Sequence, residues 1–240
     1  MSTPPLKNQF VISVMGPPGS GKGTQAYLLA KKLGAFHFIT SVEGKKYIAA
    51  HNDPETKRQV ARYQEGLLFE SPWTLRVVKD RTQSILESGQ DIVYDGSPRT
   101  LSEAEGLILF LFQLLGRECV MAIELNVGEE ELKSRLLKRR VCDRNHSHVF
   151  IDSEHYKVGD PCPEGDGVLQ KRDIDDPSVF KTRMEEFRNL TVPAIEFLRK
   201  EGVLTVINGE ESIENVWRDI DKELARRLGR RWPRGAHDND

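Results

Sequence analysis

The stretch that most constrains this chain runs from Phe10 to Leu33. An apolar run, Phe10–Val14, reads as a buried strand. Gly16-Pro17-Pro18-Gly19-Ser20-Gly21-Lys22-Gly23-Thr24-Gln25 follows it, and Thr24 to Leu33 reads as a helix that stops at Gly34. The glycines let the backbone curl until its N–H groups converge on an anion. The helix turns its positive end to the same place, and Lys22 adds a full charge. Strand, turn and helix in this order specify a phosphate cradle, not an ordinary strand–helix turn. One position is irregular. Gly23 follows Lys22, where a Ser or Thr hydroxyl ordinarily touches Mg²⁺, and Thr24 comes one place later. A cation on the phosphates would have to lean on a carboxylate elsewhere.

Four further apolar runs read as buried strands: Phe36–Ile39, Ile92–Tyr94, Val120–Leu125 and Val203–Ile207. Helical patterns separate them, which predicts an α/β fold with a five-stranded parallel sheet and helices on both faces. Ser71 with Pro72 predicts a helix start and Gly89 its end. Ser102 with Glu105 predicts a capping box, Gly116 the end of that helix, and Asp176-Pro177 the start of one that runs to Lys200 and kinks near Pro193. Two stretches break the rhythm. Residues 40–69 read as two polar helices with a turn at His51–Pro54. Val141 to Lys171, rich in Gly, Pro, Asp and His, lacks helical periodicity, as functional insertions in compact domains often do.

At 240 residues the chain can bury a sizeable core. Its formal net charge of -2 argues against a general nucleic-acid binder. Three cysteines do not make a secreted disulfide framework, and residues 1–9 carry no signal-peptide pattern. The longest apolar run, Leu107–Leu115, is too short to span a bilayer. These features predict a cytoplasmic protein with no membrane partner. The basic cluster Arg226, Arg227, Arg230, Arg231 and Arg234 reads as a solvated helix end, or as a surface for an acidic partner, before a flexible tail.

Two more signals carry chemistry. Ile92-Val93-Tyr94-Asp95-Gly96-Ser97-Pro98-Arg99-Thr100 puts an Asp at the carboxyl edge of a strand, where ligands bind in open α/β sheets. Asp95 can take Mg²⁺ through water, and Arg99 can fork a phosphate. Arg135, Arg139 and Arg140 group on one predicted helix face, with Arg172 and Arg183 beyond the 141–171 insertion. Phosphoryl transfer spreads charge over equatorial oxygens, so positioned cations supply most of its catalysis.

The glycine loop resembles the phosphate loop of adenylate kinases. The Asp95–Arg99 turn is similar to their Asp-Gly-Phe-Pro-Arg motif, with Ser97 in place of Phe and only a subtle packing change expected. Residues 134–140 and Arg172–Asp175 resemble the two ends of their lid. The likeness covers roughly residues 10 to 222. It implies a P-loop nucleoside-triphosphate-hydrolase-like fold with a core at 1–39, 70–138 and 173–229. An NMP-binding insertion would occupy 40–69, a lid 139–172 and the tail 230–240. It implies ATP and a nucleoside monophosphate as partners, Mg²⁺ as cofactor, and a monomer. Gly19, Ser20, Gly21, Lys22, Gly23 and Thr24 would hold the ATP phosphates, and Arg135 would sit on the adenine. Val149 and Phe150 would touch the donor from the lid, and the backbone near Glu211 would approach the adenine. Arg139 and Arg172 would bridge the transferring group, and Arg99 and Arg183 would hold the acceptor. Lys22, Arg99, Arg139, Arg172 and Arg183 together would be the catalytic set.

On the acceptor side the likeness implies Thr40, Gly96 and the run Leu67, Leu68 and Phe69. Lys46 (or Lys45) stands where the family places an acceptor-phosphate Arg. Glu103 stands where the family reads adenine with Gln. A carboxylate only accepts hydrogen bonds, which suits the donor-rich edge of guanine. Glu103 either alters acceptor choice or faces water while backbone groups read the base. The expected activity is therefore ATP + AMP giving two ADP. The alternatives are a kinase of another monophosphate such as GMP, or a nucleotide binder with little turnover. In the lid, Cys142, His146, Cys162 and Asp166 could hold a structural zinc, or Cys142 and Cys162 could be reduced thiols in a metal-free network; His148 and His155 read as surface groups.

Overall fold

The computed structural model describes residues 9–64, 69–145, 148–152, 154–172, 175–229 and 232. Five strands form one parallel sheet in the order β2-β3-β1-β4-β8: β1 (Val11–Met15), β2 (Phe36–Ile39), β3 (Ile92–Asp95), β4 (Val120–Asn126) and β8 (Leu204–Asn208). Each of the five expected runs became one of these strands within about one residue. Their inner positions are almost all apolar and branched, as a sheet covered on both faces requires. Register brings Val14 level with Asp95 and Ile123, and Ile39 level with Asp95. The carboxyl ends therefore form one rim. The chain leaves β1 for β2 on one side, while β4 and β8 add on the other, so the crevice opens at the end of β1.

Helix α1 (Lys22–Leu33) leaves the loop and ends at Gly34, whose φ of 62° is the left-handed conformation of a helix terminus. The stretch after β2 holds α2 (Thr40–Ala50) and α3 (Pro54–Gln64), as expected. A buried Glu43 ties α2 to α4 (Ser71–Glu87), accepting from Arg81 Nε at 2.9 Å and from Lys46 Nζ at 2.7 Å. Burial would raise the Glu43 pKa, but those two cations outweigh it and hold it below the usual carboxylate range. Two expected caps shift. Ser71 lies inside α4, with Glu70 as its N-cap. In α5 (Leu101–Leu115) the cap is Thr100, whose hydroxyl accepts from Glu103 N–H, and not Ser102 with Glu105. The apolar face of α5 sets the helix phase, and that phase puts Thr100 at the boundary.

Helix α6 (Glu129–Lys138) leads from β4 into a separate three-stranded antiparallel sheet, ordered β6-β5-β7: β5 (Arg139–Cys142), β6 (Val149–Ile151) and β7 (Leu169–Gln170). The chain returns through α7 (Pro177–Glu186), a π-helical turn at Phe187–Thr191 and α8 (Val192–Lys200). The expected irregularity near Pro193 takes the form of that widened turn, because Pro193 has no N–H to continue the ladder. Helix α9 (Ile213–Leu228) closes the core. β8 is an edge strand, and Arg227 covers the chain leading into it, donating to Val203 O and Leu204 O at 3.1 Å each. Arg226 and Arg227 both pair with Glu223. Trp232 is buried, donates to Asp221 at 3.1 Å, and flanks the Lys32 ammonium opposite Trp217. The rest of the tail, with Arg230, Arg231 and Arg234, lies outside the described residues. Among the described residues no helix is long and apolar enough to cross a membrane.

Candidate active site

The glycine loop is built as its spacing demands. Gly19 and Gly21 have φ of 89° and 88°, values that side chains rarely adopt. A Cβ on Gly16 would stand 2.9 Å from Leu125 O. Gly23 has a tertiary reason. A Cβ there would lie 3.2 Å from Asp95 Oδ2, so the missing hydroxyl and the nearby carboxylate are linked: Asp95 fills the space beside Gly23. Gly96, with φ of 70°, lets the turn after β3 pass close to Lys22, whose Cε would sit 3.3 Å from an added Cβ.

Lys22 donates to Pro17 O at 3.2 Å. Burial lowers its pKa to about 7. Asp95 opposes that shift, while Arg183, Arg99 and Arg139 add to it. Asp95 behaves oppositely. Burial would raise its pKa, yet the imidazole of His37 and the charges of Lys22 and Arg99 outweigh burial and keep it low. His37 Nε2 stands 3.7 Å from Asp95 Oδ2, too far for a hydrogen bond, and has no hydrogen-bond partner among the described residues.

A cleft of about 720 Å³ opens beside the loop, lined by Lys22, Thr40, Gly96, Arg99, Glu103 and Arg183 among others. Phe69 and the turn residue Thr191 also face it. Arg139 forks Asp175, with Nε to Oδ2 at 2.8 Å, and Arg183 lies 3.8 Å from the same carboxylate. Burial followed by repulsion from Arg139 lowers the Arg172 pKa. The same two causes, with Arg172 and Arg99, bring Arg183 to about 10. One carboxylate, Asp175, thus faces several crowded guanidiniums, and the surplus positive charge would be relieved by anions.

The remaining site residues sort clearly. Arg135 donates to Gly209 O at 2.7 Å and to Glu131 at 2.6 Å, which brings α6 against the turn before α9, near Glu211. Val149 and Phe150 stand on β6, with Phe150 packed on Tyr156 at a ring distance of 4.6 Å. Lys46 is spent on Glu43, its side chain 61% exposed, and does not line the cleft. Leu67 and Leu68 lie outside the described residues. Glu103 does not face water. It is 8% exposed, and its Oε2 accepts from Arg99 N–H at 2.9 Å. Sequence reasoning missed the roles of Ser97 and Glu43. The buried Ser97 hydroxyl bonds that of Thr40, joining the start of α2 to the turn after β3. A polar residue in place of the family's Phe was the signal for it.

In the small sheet, the ligand atoms of Cys142, His148 and Cys162 lie within 4.8 Å of one another. His148 is therefore not a surface group, and exposed Asp166 is not in the cluster; His146 lies outside the described residues. Cys142 N–H donates to His148 O at 3.2 Å, so a hairpin sets the two residues opposite one another, which spacing along the chain does not reveal. Burial would raise the Cys142 pKa, but the N–H groups of Asn145 and Arg144, with the Cys162 thiol, outweigh it and lower it. His148 Nδ1 faces Cys162 Sγ at 3.4 Å, while its Nε2 meets Asn145 at 2.9 Å. His155 is exposed and pairs with Asp152, as a surface group should.

A phosphate loop, a strand-end Asp and crowded arginines on a five-stranded parallel sheet define a nucleotide-dependent phosphotransferase. The adenylate kinase family pattern matches residues 14–203, and the chain belongs to that family. It is 32% identical over 216 residues to the adenylate kinase of Methanothrix thermoacetophila, covering 90% of this chain and 98% of that protein. It is 33% identical over 218 residues to that of Clostridium botulinum strain Langeland, covering 90% and 98%. The adenylate kinase of Caldanaerobacter subterraneus subsp. tengcongensis is 33% identical over 215 residues, covering 89% and 95%. Membership makes the chain an ATP-dependent phosphotransferase of the nucleoside monophosphate kinase type.

Proposed function

We propose that the chain transfers the terminal phosphoryl group of ATP to AMP, giving two ADP. The observation that carries this is a cleft lined by Lys22, Arg99 and Arg183, with Arg139 and Arg172 close enough that burial, and then repulsion among these cations, lowers the pKa values of Lys22, Arg172 and Arg183. The acceptor phosphate oxygen is already anionic, so no general base is needed. The difficulty is bringing two anions together in line, and fixed guanidiniums meet the charge that spreads over the equatorial oxygens. Loop residues Gly19 to Thr24 take the donor phosphates, with Arg135 and the turn near Glu211 beside the adenine. Thr40, Phe69, Gly96, Arg99 and Arg183 form the acceptor side, with Leu67 and Leu68 continuing its wall.

We assign α2 and α3 to an acceptor insertion and the small sheet to a lid that closes over both nucleotides and excludes water. Mg²⁺ would be held by the phosphates and, through water, by Asp95; the buried carboxylate and the unpartnered His37 Nε2 beside it fit a hydrated hard cation. It would neutralise phosphate charge. Zinc would be held by Cys142, His148 and Cys162, a soft donor set in which Asn145 orients the imidazole. The reading extends to a cytoplasmic monomer that takes no nucleic acid. A coupled assay of ADP formation tests the activity: turnover that needs both ATP and AMP is expected, and tight ATP binding with no diphosphate formed from any monophosphate overturns it. Metal analysis of purified protein tests the lid: about one zinc per chain is expected, lost in Cys142→Ser.

A further inference from the structure

We infer that the acceptor cleft takes a purine presenting hydrogen-bond donors on its Watson–Crick edge, and that GMP is a substrate beside AMP. This rests on the kinase reading above. Glu103 sits in the first turn of α5, where the positive helix end meets its charge favourably. One of its oxygens, Oε2, is held by Arg99 N–H at 2.9 Å, and the carboxylate is thereby fixed in orientation. No other hydrogen bond to this carboxylate occurs among the described residues, although the side chain is nearly buried and lines the cleft. The carboxylate therefore keeps free accepting capacity where it lines the cleft, and a ligand that supplies donors there gains charge-assisted hydrogen bonds.

The cleft wall beside Glu103 sharpens the choice. Phe69 offers an aromatic face, while Ser71, Thr74 and Thr100 bring hydroxyls to the same cavity. The Ser71 and Thr100 hydroxyls are 3.2 Å apart and Thr100 Oγ1 accepts from Glu103 N–H, so hydroxyls and carboxylate belong to neighbouring residues of one polar edge. A carboxylate accepts only, and a hydroxyl can donate. Guanine presents N1–H and N2–H₂ as donors beside the O6 acceptor, which complements that edge. Adenine presents N6–H₂ as donor but its N1 as acceptor, which faces a carboxylate unfavourably. Adenine can still bind through its amino group and by stacking on Phe69, so the wall broadens acceptor use toward guanine without abolishing AMP.

The test is a panel of AMP, GMP and IMP at saturating Mg·ATP, with diphosphate products separated by chromatography. GMP is expected to show kcat/KM within about tenfold of AMP. IMP, which keeps N1–H but lacks the 2-amino group, is expected below GMP by a factor of about ten. Glu103→Gln keeps an oxygen for Arg99 N–H and adds a donor, and is expected to shift the AMP-to-GMP ratio toward AMP by about tenfold or more. AMP used alone, or a ratio unmoved in Glu103→Gln, overturns the inference while the kinase reading stands. No diphosphate from any of the three overturns both.

Discussion

Lys22 is the residue whose state depends most on what surrounds it. In the site without nucleotide its pKa falls to about 7 through burial and neighbouring arginines. Phosphate would restore the charged form, so ATP binding above pH 7 takes up a proton. The sign follows directly: the free site binds fewer protons than the bound site, and affinity falls as pH rises through 7. Calorimetry at pH 8 in buffers of different ionisation enthalpy should show uptake of roughly one proton per ATP, declining toward zero at pH 6. Arg172 makes a second residue-scale prediction. Arg172→Ala removes a cation expected to meet charge in the transition state, so kcat should drop about 10²–10³-fold with thermal stability nearly unchanged. A loss confined to KM would show that Arg172 only binds ground-state nucleotide.

Among the elements, α5 depends on a cap that the sequence pattern misplaced. Ser102 and Glu105 have the right spacing, but α5 begins at Leu101 and Thr100 caps it. Thr100→Ala should therefore cost about 1 kcal/mol in urea unfolding, whereas Ser102→Ala should cost a few tenths at most. The small sheet teaches a related lesson. Cys142 and Cys162 were legible as a pair, but the partner histidine was not, since β5 and β6 run antiparallel and a hairpin turns distance along the chain into cross-strand proximity. Glycine and proline signals at Gly34, Gly116 and Pro193 were read correctly because they act on their own backbone.

At the scale of the molecule, α1 and α9 are locked by contacts that join sequence-distant ends. Lys32 pairs with Asp221 at 2.5 Å and lies between Trp217 and Trp232, and Gln25 donates to Ile213 O at 3.0 Å. Trp232 is 4% exposed and belongs to the main core. Trp232→Ala should lower stability by about 3 kcal/mol, read as an earlier denaturant midpoint, even though it lies beyond the last helix. An unchanged midpoint would mean that the segment after α9 contributes no packing.

Although Arg139 and Arg140, expected on the helix with Arg135, stand instead on β5, the sequence by itself determined the sheet and the phosphate loop, for a physical reason. Strand burial writes apolar runs into the chain, and a phosphate cradle needs its glycines and lysine in consecutive positions. Ile92–Asp95 and Gly16–Thr24 are local enough to be legible. Only the tertiary structure decided what distant side chains do to one another. It set Asp95 against Gly23 and spent Lys46, with Arg81, on Glu43. It brought His148 to the two cysteines, and it nearly buried Glu103 in the cleft wall with one oxygen held by Arg99 N–H. Those outcomes depend on packing between elements, which spacing along one chain does not encode.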